Sequence, residues 1–429
     1  MDSELDPPCR RGYHRAVDAN ATLASALAAY RAGRPAEARR AAEELWRGAG
    51  DARAAGLLAL LELDARRFAQ ALAWNDRARA ASPADLRYVR QGARIAALAG
   101  DPLGAFDRLA ALLAAAPRTA DAWADFAAAA RASRREREAI AFCSRAFAAD
   151  PSAQAILLAL LSLVSDAPVD RALPDETPAA DRVPISVVTC SNDEARFAAM
   201  AASYDRALME WPHEIVRIAD ARSLAEGYTR GLERATADVV IFSHDDVEIL
   251  PADFGHRLAR RLAACDLLGI AGATRATAPA WPSAGWPHLH GCVIYPEGGE
   301  YHVTVYSRTV PIAHGMRVMD GVFLAMRRSV ARAIGWDAEA CEGFHGYDID
   351  FTLRAAKGGR RLAVATDLGV VHRSYGSFDD RWRAAARKLA ARHPELGGER
   401  AKDTGFVARA VPDAAHAMAL VDNWATPML

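Results

Sequence analysis

The sequence predicts two domains of different fold class, an all-α repeat domain followed by an α/β domain. Three prolines in the N-terminal third, Pro83, Pro117 and Pro151, recur at equal intervals of about 34 residues within otherwise helical sequence. From residue 183 onward, short apolar segments alternate with helical segments, which is typical of a mostly parallel sheet covered by helices. A segment rich in proline, residues 166–182, separates the two patterns and indicates a linker.

The overall composition is that of a globular protein of two or three domains. The chain has 429 residues, of which 52% are hydrophobic and 25% charged, and its formal net charge is -1. A chain without a basic excess has no general attraction for nucleic acid or for an anionic membrane surface. We therefore expect no nucleic acid among its partners.

The cysteines and the apolar runs predict a cytoplasmic protein. None of the six cysteines forms a CxxC pair, so their spacing predicts neither a zinc site nor a disulfide framework, and a reducing compartment fits best. Residues 1–15 are charged and lack the apolar core of a signal peptide. The longest apolar run, Ala155–Val164, is shorter than the ~18 residues that a membrane span needs, so we expect no membrane span.

Small residues follow the same register as the prolines. Ala71, Ala105 and Ala139 recur at the same interval as the prolines, and Ala38 precedes Ala71 by an interval one position shorter. Short polar breaks fall between these marks, so that each unit consists of a helix, a turn, a second helix and a proline stop. This pattern resembles the tetratricopeptide repeats, which share this period of about 34 residues.

The register predicts four repeats from about Ala21 to Pro151, followed by a capping helix through Val164. The repeat domain is thus expected at residues 21–165, after an N-terminal tail at 1–20. A helical solenoid of this kind has a concave surface that usually holds a peptide or another subunit. We therefore expect a protein partner for the repeat domain.

The second domain is expected at residues 183–400, before a C-terminal tail at 401–429. Neither a GxGxxG after the first strand nor a Walker loop is present, which argues against a dinucleotide oxidoreductase and a P-loop enzyme. Gly298-Gly299 predicts the turn of a hairpin, and Gly358-Gly359 predicts the end of a helix that starts near Tyr347. The predicted strands of the domain are 183–190, 214–218, 238–242, 267–272 and 368–371, with helices at 224–235, 253–264 and 379–392.

The central strand of this domain ends in a polar cluster. Val239–Phe242 is continuously apolar, as in a strand buried on both faces, and His244, Asp245 and Asp246 follow it directly. In α/β sheets, ligands lie beyond the carboxyl ends of the strands. Two carboxylates and an imidazole at such an end suit a divalent cation that carries phosphates, although a simple polar loop would also use aspartate.

A second pair of carboxylates, Asp348 and Asp350, lies at the predicted start of the helix near Tyr347. Negative charges are favoured near a helix N-terminus, so these two residues either cap the helix or carry chemistry. Trp281 and Trp286, which flank a proline in a loop, either stack on a sugar or pack the loop. His345 either binds a diphosphate or fixes its loop through a backbone carbonyl.

Four stretches in this order resemble the GT-A glycosyltransferases, in particular the bacterial family-2-like group. They are the opening strand Ile185–Ser191, the segment Phe242–Val247, the pair of segments Asp320–Phe323 and Gly343–Phe351, and His372 after the last core strand. The resemblance covers about residues 183–393. It implies an α/β, Rossmann-like GT-A fold for the second domain and transfer of a sugar from a nucleoside diphosphate sugar to a hydroxyl acceptor.

The resemblance also implies roles for individual residues. Asp348 corresponds to the general base, and Asp246 and His372 to ligands of Mn²⁺ or Mg²⁺, with the imidazole favouring Mn²⁺. The first position of the family's Asp-X-Asp is His244 here, or the motif is shifted to Asp245-Asp246, which leaves open which groups contact ribose and which contact metal. The candidates for binding the nucleotide sugar are Thr189, Ser191, Asp220, Arg222, His244 and Asp245. The candidates for binding the acceptor are Asp320, Gly321, Trp286, His345 and Asp350.

The expected function is that of a metal-dependent, inverting glycosyltransferase that uses a UDP-sugar and a protein or glycan acceptor. Two alternatives are a repeat-based adaptor with an inactive GT-A domain, and a polysaccharide-biosynthesis transferase that acts on a lipid-linked glycan. The presence of Asp246, Asp348 and His372 together argues against the inactive adaptor.

Overall fold

The chain forms two compact units, one up to Ala139 and one from Ile140 onward. The computed structural model describes residues 8–150, 152–165, 182–306, 310–341, 343–376, 378–398, 401 and 406–425, with side chains from residue 19 onward except that of Ser165. Pro151 and nearly all of the predicted linker at 166–182 therefore lie outside the described residues. Within the described part of the chain, no helix combines the length and the apolar character required to cross a bilayer.

The first unit consists of consecutive helices, each packed against the next. They are α1 (Pro8–Arg31), α2 (Pro35–Ala49), α3 (Ala52–Asp64), α4 (Phe68–Ala81), α5 (Leu86–Leu98), α6 (Pro102–Ala115) and α7 (Ala120–Ala132). Helix α8 (Glu136–Ala149) crosses the boundary between the units. Pro83 and Pro117 lie between helices, as their spacing predicts, because proline cannot continue a helix.

Two sets of equivalent positions confirm the tetratricopeptide-like register. Ala38, Ala71, Ala105 and Ala139 are all fully buried, so a larger side chain at these positions would separate packed helices. The turns inside the repeats use one left-handed residue each. These residues are Gly33 (φ 69°), Arg66 (φ 56°), Gly100 (φ 80°) and Arg134 (φ 58°).

The helices and the division into units differ from the predicted edges of the repeat domain at both ends. Helix α1 begins at Pro8, inside the predicted tail 1–20, because its helical sequence continues upstream of Ala21. Helix α9 (Gln154–Ser165) was assigned to the repeat domain but belongs to the second unit. Its buried residues include Ile156, Leu157, Leu160 and Leu163, so an apolar partner is needed along its length.

The core of the second unit is a mixed sheet. Its strands are β1 (Ile185–Cys190), β2 (His213–Ile218), β3 (Val239–Ser243), β5 (Leu267–Gly269), β9 (Ile312–His314), β11 (Phe323–Arg327) and β12 (Leu362–Ala365), in the order β2-β1-β3-β11-β5-β12-β9. The β1 strand is parallel to β2 and β3, whereas β11 runs antiparallel to β3 and β5. The sheet is thus less parallel than expected, because β11 and β9 pair antiparallel with their neighbours.

The second unit also contains a second sheet, which carries the predicted metal ligand His372. It contains β4 (Val247–Ile249), β6 (Ala271–Ala273), β7 (Leu289–Glu297), β8 (Glu300–Val305), β10 (Val318–Met319), β13 (Val370–His372) and β14 (Val407–Val411). Five of these follow the order β10-β6-β7-β13-β4, β8 pairs with β7, and β14 pairs with β8. The turn between β7 and β8 is at Gly298-Gly299, as predicted.

Helices flank the two sheets. They are α10 (Glu194–Ala207), α11 (Leu224–Arg234), α12 (Phe254–Leu262), α13 (Arg328–Ile334), α14 (Tyr347–Lys357), α15 (Asp380–Arg392) and α16 (Ala414–Ala425). The predicted C-terminal tail at 401–429 is wrong, since it contains β14 and α16. Helix α16 packs against α9, where Trp424 is fully buried and the Asn423 side chain donates a hydrogen bond to the Val164 carbonyl at 2.9 Å.

Candidate active site

The carboxyl end of β3 leads directly into the polar cluster that the sequence singles out. Antiparallel pairing of β13 with β4 puts His372 opposite Val247, next to Asp246. The backbone amide of Arg373 donates a hydrogen bond to the Asp246 carbonyl at 3.0 Å, which extends this pairing by one residue. Two segments far apart in the chain are thereby joined at the edge of the site.

His244, Asp246 and His372 form a group that could hold a metal ion. Each offers one ligand atom, and these atoms lie within 4.8 Å of one another; His372 Nε2 lies 3.4 Å from Asp246 Oδ1. Two imidazoles and one carboxylate are a donor set suited to Mn²⁺ or another transition metal rather than Mg²⁺, which prefers oxygen ligands. His244, expected among the nucleotide-binding residues, thus lies beside both predicted metal ligands.

Electrostatics favours the metal-ligating forms of Asp246 and His244. Burial would raise the pKa of Asp246, but the hydrogen bond and charge of His372 outweigh it, so that this pKa is below its ordinary value. Burial and the nearby charge of His372 lower the pKa of His244. A carboxylate and a neutral imidazole, the forms that ligate metal, are therefore favoured. The Tyr347 hydroxyl lies 2.7 Å from His244 Nε2 and orients that ring.

A pocket of about 340 Å³ lies at the carboxyl ends of β1 and β2, next to this group. Asp245 lines it, and the Arg196 guanidinium lies 3.6 Å from its carboxylate. Asp245 lines this pocket, whereas His244 and Asp246 lie next to His372. Neighbouring residues of this segment therefore contribute to different parts of the site. The lining also includes Ser191, one of the candidates for binding the nucleotide sugar, and Asn192, which sequence reasoning missed although it follows Ser191 directly.

The other three residues expected at the nucleotide lie elsewhere. Thr189 is buried within the sheet, and its hydroxyl makes no hydrogen bond within the described residues. Asp220 is exposed and forms an ion pair with Arg230 at 2.5 Å. The Arg222 side chain is 85% exposed and does not line the pocket. Loop geometry after β2, which the sequence pattern does not define, directs these last two side chains outward.

A larger cleft of about 800 Å³ contains most of the remaining candidate residues. His244 lines both the cleft and the smaller pocket, so the two cavities adjoin at the metal-ligand group. Asp348, Asp320, Gly321 and His345 all line the cleft. The His345 Nε2 atom lies 3.9 Å from the Asp379 carboxylate, a long contact that leaves the ring at the cleft wall.

Asp348 has the properties of a general base. Its Oδ2 accepts a hydrogen bond from the Gly321 amide at 3.1 Å. Burial, and next the negative charge of Asp320, raise the pKa of Asp348 to about 7. A carboxylate with this pKa accepts a proton readily near neutral pH. A Cβ atom at Gly321 would lie 2.3 Å from the Tyr347 hydroxyl and 2.7 Å from the Asp348 Cβ, so glycine is required for this close approach.

Asp320 is held firmly beside Asp348. Its Oδ2 accepts a hydrogen bond from Trp281 Nε1 at 2.8 Å, and its Oδ1 accepts one from the Val322 amide at 3.0 Å. Trp281 lines the cleft, whereas Trp286 packs against Phe147 with ring centroids 5.7 Å apart and does not line it. Trp286, predicted to contact the acceptor, therefore lies outside the cleft, while Trp281 lies in its wall.

Asp350, predicted either to anchor its helix or to shape the acceptor loop, makes anchoring contacts. Its side chain is fully buried and binds Arg354 Nε at 2.7 Å, His393 Nε2 at 2.8 Å and Arg392 Nε at 3.1 Å. These contacts join α14 to the end of α15 and leave Asp350 outside the cleft. Residues two apart on a helix face different sides, so only Asp348 of the pair reaches the site.

The second unit contains a mixed α/β domain that is similar to the family-2-like GT-A glycosyltransferases. Residues 186–391 match a family model described as "Glycosyltransferase like family". Comparison with curated proteins found no match.

Solved structures similar to parts of the chain include two helical proteins. A MamA fragment (41-end) from Desulfovibrio magneticus RS-1 is 19% identical, with a TM-score of 0.29, over 34% of this chain and 82% of that one. PilF from Pseudomonas aeruginosa is 13% identical, with a TM-score of 0.30, over 35% of this chain and 69% of that one.

Proposed function

We propose that the protein transfers a sugar from a nucleoside diphosphate sugar to a hydroxyl acceptor, with inversion at the anomeric carbon and with the help of a divalent metal. The observation that carries this proposal is the order of three features along adjoining cavities. The pocket beside Asp245 comes first, the His244–Asp246–His372 group next, and Asp348 last, in the cleft. Donor, leaving group and acceptor would occupy these positions in the same order.

Asp246, His372 and His244 would hold the metal ion. When bound, a divalent cation neutralises charge on the diphosphate leaving group. The carboxylate and the two imidazoles lie within 4.8 Å of one another and need no large rearrangement to share one ion. This donor set supports Mn²⁺ in preference to Mg²⁺. The Tyr347 hydroxyl at His244 would preserve the ring orientation.

Asp348 would remove the proton of the acceptor hydroxyl as that oxygen attacks the anomeric carbon. The Gly321 amide holds its Oδ2, and burial together with the charge of Asp320 keeps its pKa high. A base on the acceptor side supports a single displacement, in which the attacking oxygen and the leaving diphosphate lie on opposite faces of the sugar. That geometry inverts the configuration at the anomeric carbon.

The nucleotide would bind in the pocket that Ser191, Asn192 and Asp245 line. Arg196, near Asp245, would neutralise part of the local negative charge. A UDP-sugar is the first donor to test. The helical repeats of the first unit would bind a protein partner on their surface, since solenoids present extended binding surfaces.

Release of free nucleoside diphosphate from UDP-, GDP- and dTDP-sugars, with Mn²⁺, with Mg²⁺ and with EDTA, tests the proposal on the full chain. We expect slow hydrolysis of one donor that requires a divalent ion and is greater with Mn²⁺. The Arg222→Ala variant is a matched control, because its exposed side chain lies outside both cavities. The proposal fails if no nucleotide sugar binds or is hydrolysed with either metal.

A further inference from the structure

One wall of the cleft in front of Asp348 consists of exposed aromatic rings. Tyr375 is 60% exposed, Phe378 57% and Phe406 54%, and all three line the cleft. Aromatic side chains of this size are usually buried for most of their area. Their grouping at the mouth of one cleft indicates a ligand that covers them.

Tyr375 is held in place with one face free. Its ring stacks on Tyr295, with centroids 4.8 Å apart and an interplanar angle of 14°. Its hydroxyl donates a hydrogen bond to Glu297 Oε2 at 3.1 Å. Since one face is covered and the ring is still 60% exposed, the opposite face is open to the cleft. A ring fixed in this way loses little conformational entropy when a flat ligand packs on it.

The rest of the lining argues against two kinds of acceptor. Ile349 is the one long aliphatic side chain among the described lining residues, so an acyl or isoprenoid chain would find few matching contacts. The same residues include no lysine or arginine but include Glu297, Asp320 and Asp348. With no lysine or arginine beside them, three acidic side chains disfavour a phosphorylated or acidic acceptor on this side of the cleft.

Polar side chains lie among the aromatic rings. His302, Thr304 and Ser374 line the cleft and offer hydrogen-bonding groups to a ligand with many hydroxyls. A pyranose ring matches this mixture, because it has flat faces of C–H groups and hydroxyls around its edge. Aromatic side chains contact the C–H faces of the sugar, and polar side chains bind its hydroxyls.

We propose that the acceptor is an uncharged saccharide, one ring of which packs on the open face of Tyr375 while a hydroxyl lies at Asp348. This inference rests on the proposed glycosyl transfer for the role of that hydroxyl, but the binding surface is independent of turnover. The flat aromatic face of Tyr375 holds one saccharide ring. The acidic lining of the cleft favours an uncharged saccharide over an anionic one.

Binding of defined probes to the full chain with UDP and Mn²⁺ tests this proposal. The probes are methyl glycosides and neutral di- and trisaccharides of common hexoses, with their phosphorylated counterparts and a set of serine- and threonine-containing peptides for comparison. Ligand-observed NMR would detect contacts, and titration would give Kd. We expect a neutral saccharide to bind more tightly than its phosphorylated counterpart and than any of the peptides.

Variants of Tyr375 identify the surface. Tyr375→Ala should weaken saccharide binding by about tenfold or more, whereas Tyr375→Phe, which keeps the flat ring, should remain within about threefold of the wild type. Met209→Ala, at an exposed apolar residue outside the cleft, controls for general surface effects. Unchanged saccharide affinity in Tyr375→Ala, or preferred binding of a peptide or a phosphorylated probe, would overturn the proposal.

Donor hydrolysis measured on the same preparation separates this inference from the proposed function. Hydrolysis of a nucleotide sugar without binding of any neutral saccharide would overturn the acceptor proposal and leave the transferase proposal standing. Saccharide binding that depends on Tyr375 without hydrolysis of any donor would support the saccharide site and overturn the transferase.

Discussion

The Nε2 atom of His372 lies 3.4 Å from Oδ1 of Asp246, although the two residues come from distant parts of the chain. The antiparallel pairing of β13 with β4 produces this contact. Because strand pairing fixes both backbones, the two side chains are preorganised before any ion binds. With His244 beside them, the metal-ligand group becomes the feature most open to direct test.

Asp246→Ala should weaken Mn²⁺ binding to the full chain by at least about tenfold, since it removes the one carboxylate of the group. Its melting temperature should change little, because the three residues lie at the edge of the cleft and none of them belongs to the apolar core. Electron paramagnetic resonance of free Mn²⁺ measures the affinity without any need for turnover. Asp205→Ala, at an exposed aspartate paired with His213, is the matched control. Equal Mn²⁺ affinity in both variants would disprove the assignment of the metal site.

Asp348→Asn should lower the single-turnover transfer rate by about 10²–10⁴-fold, because asparagine cannot take a proton at neutral pH. The asparagine carbonyl can still accept the hydrogen bond from the Gly321 amide, and donor binding should barely change. Asp350→Asn should instead lower the free energy of unfolding by about 2–4 kcal/mol, since it weakens buried contacts to Arg354 and His393.

Single-turnover rates and urea unfolding of both variants distinguish the two roles. A dead Asp350→Asn protein of normal stability, together with a fully active Asp348→Asn protein, would require that the roles be exchanged. Full activity of both variants would contradict an inverting mechanism with a carboxylate base on α14.

The transfer rate should rise with pH and level off above about 7, the value to which burial and Asp320 raise the pKa of Asp348. Below that pH the carboxyl is protonated and cannot accept the acceptor's proton. Asp320→Asn removes the neighbouring negative charge, so the midpoint should move to lower pH. Rate profiles of both proteins test this; a profile that falls as pH rises through 7 would contradict the assignment.

The same pKa has a consequence for stability. The Asp348 carboxyl has a pKa of about 7 in the folded state and near 4 in the unfolded state. This group therefore leaves the folded state most stable below about pH 4, and that stability is lost as the pH rises through about 7. At pH 8, Asp348→Asn should therefore raise the free energy of unfolding by roughly 2–4 kcal/mol, since one pKa unit corresponds to about 1.4 kcal/mol. The gain should disappear near pH 4. Denaturant unfolding at both pH values measures it, and an equal effect at the two would refute the linkage.

The repeat turns predict opposite effects of two substitutions at equivalent positions. Gly100→Ala should destabilise the repeats by about 1–2 kcal/mol, because φ is 80° there and a Cβ meets no atom within 4 Å, which leaves backbone strain as the cause. Arg66→Gly, at φ 56°, should be neutral or stabilising by up to about 1 kcal/mol. Urea unfolding followed by circular dichroism compares them. Equal destabilisation by both would contradict a shared left-handed turn.

Local patterns explain which parts of the fold the sequence predicted well. The alanine and proline register of the repeats depends on helix geometry and on the stiffness of proline, both of which act over a few residues. The buried strand Val239–Ser243 and the helix closed by Gly358-Gly359 were likewise predicted from adjacent residues. The C-terminal strand β14 was not predicted, because it forms by pairing with β8, which is distant in sequence. The residues of neither segment indicate which strand will be its partner.

The sequence by itself determined the two fold classes, the polar end of the central strand and the presence of two carboxylates at the start of α14. Only the tertiary structure decided which of them faces the cleft: Asp348 reaches it, while Asp350 is held by His393. It also decided that Trp281 rather than Trp286 lines the cleft and that His244 joins Asp246 and His372. The physical reason is that the periodicity of apolar residues along a segment determines which of its faces is buried. The direction of a polar side chain depends instead on hydrogen-bonding and ionic partners that come from elsewhere in the chain.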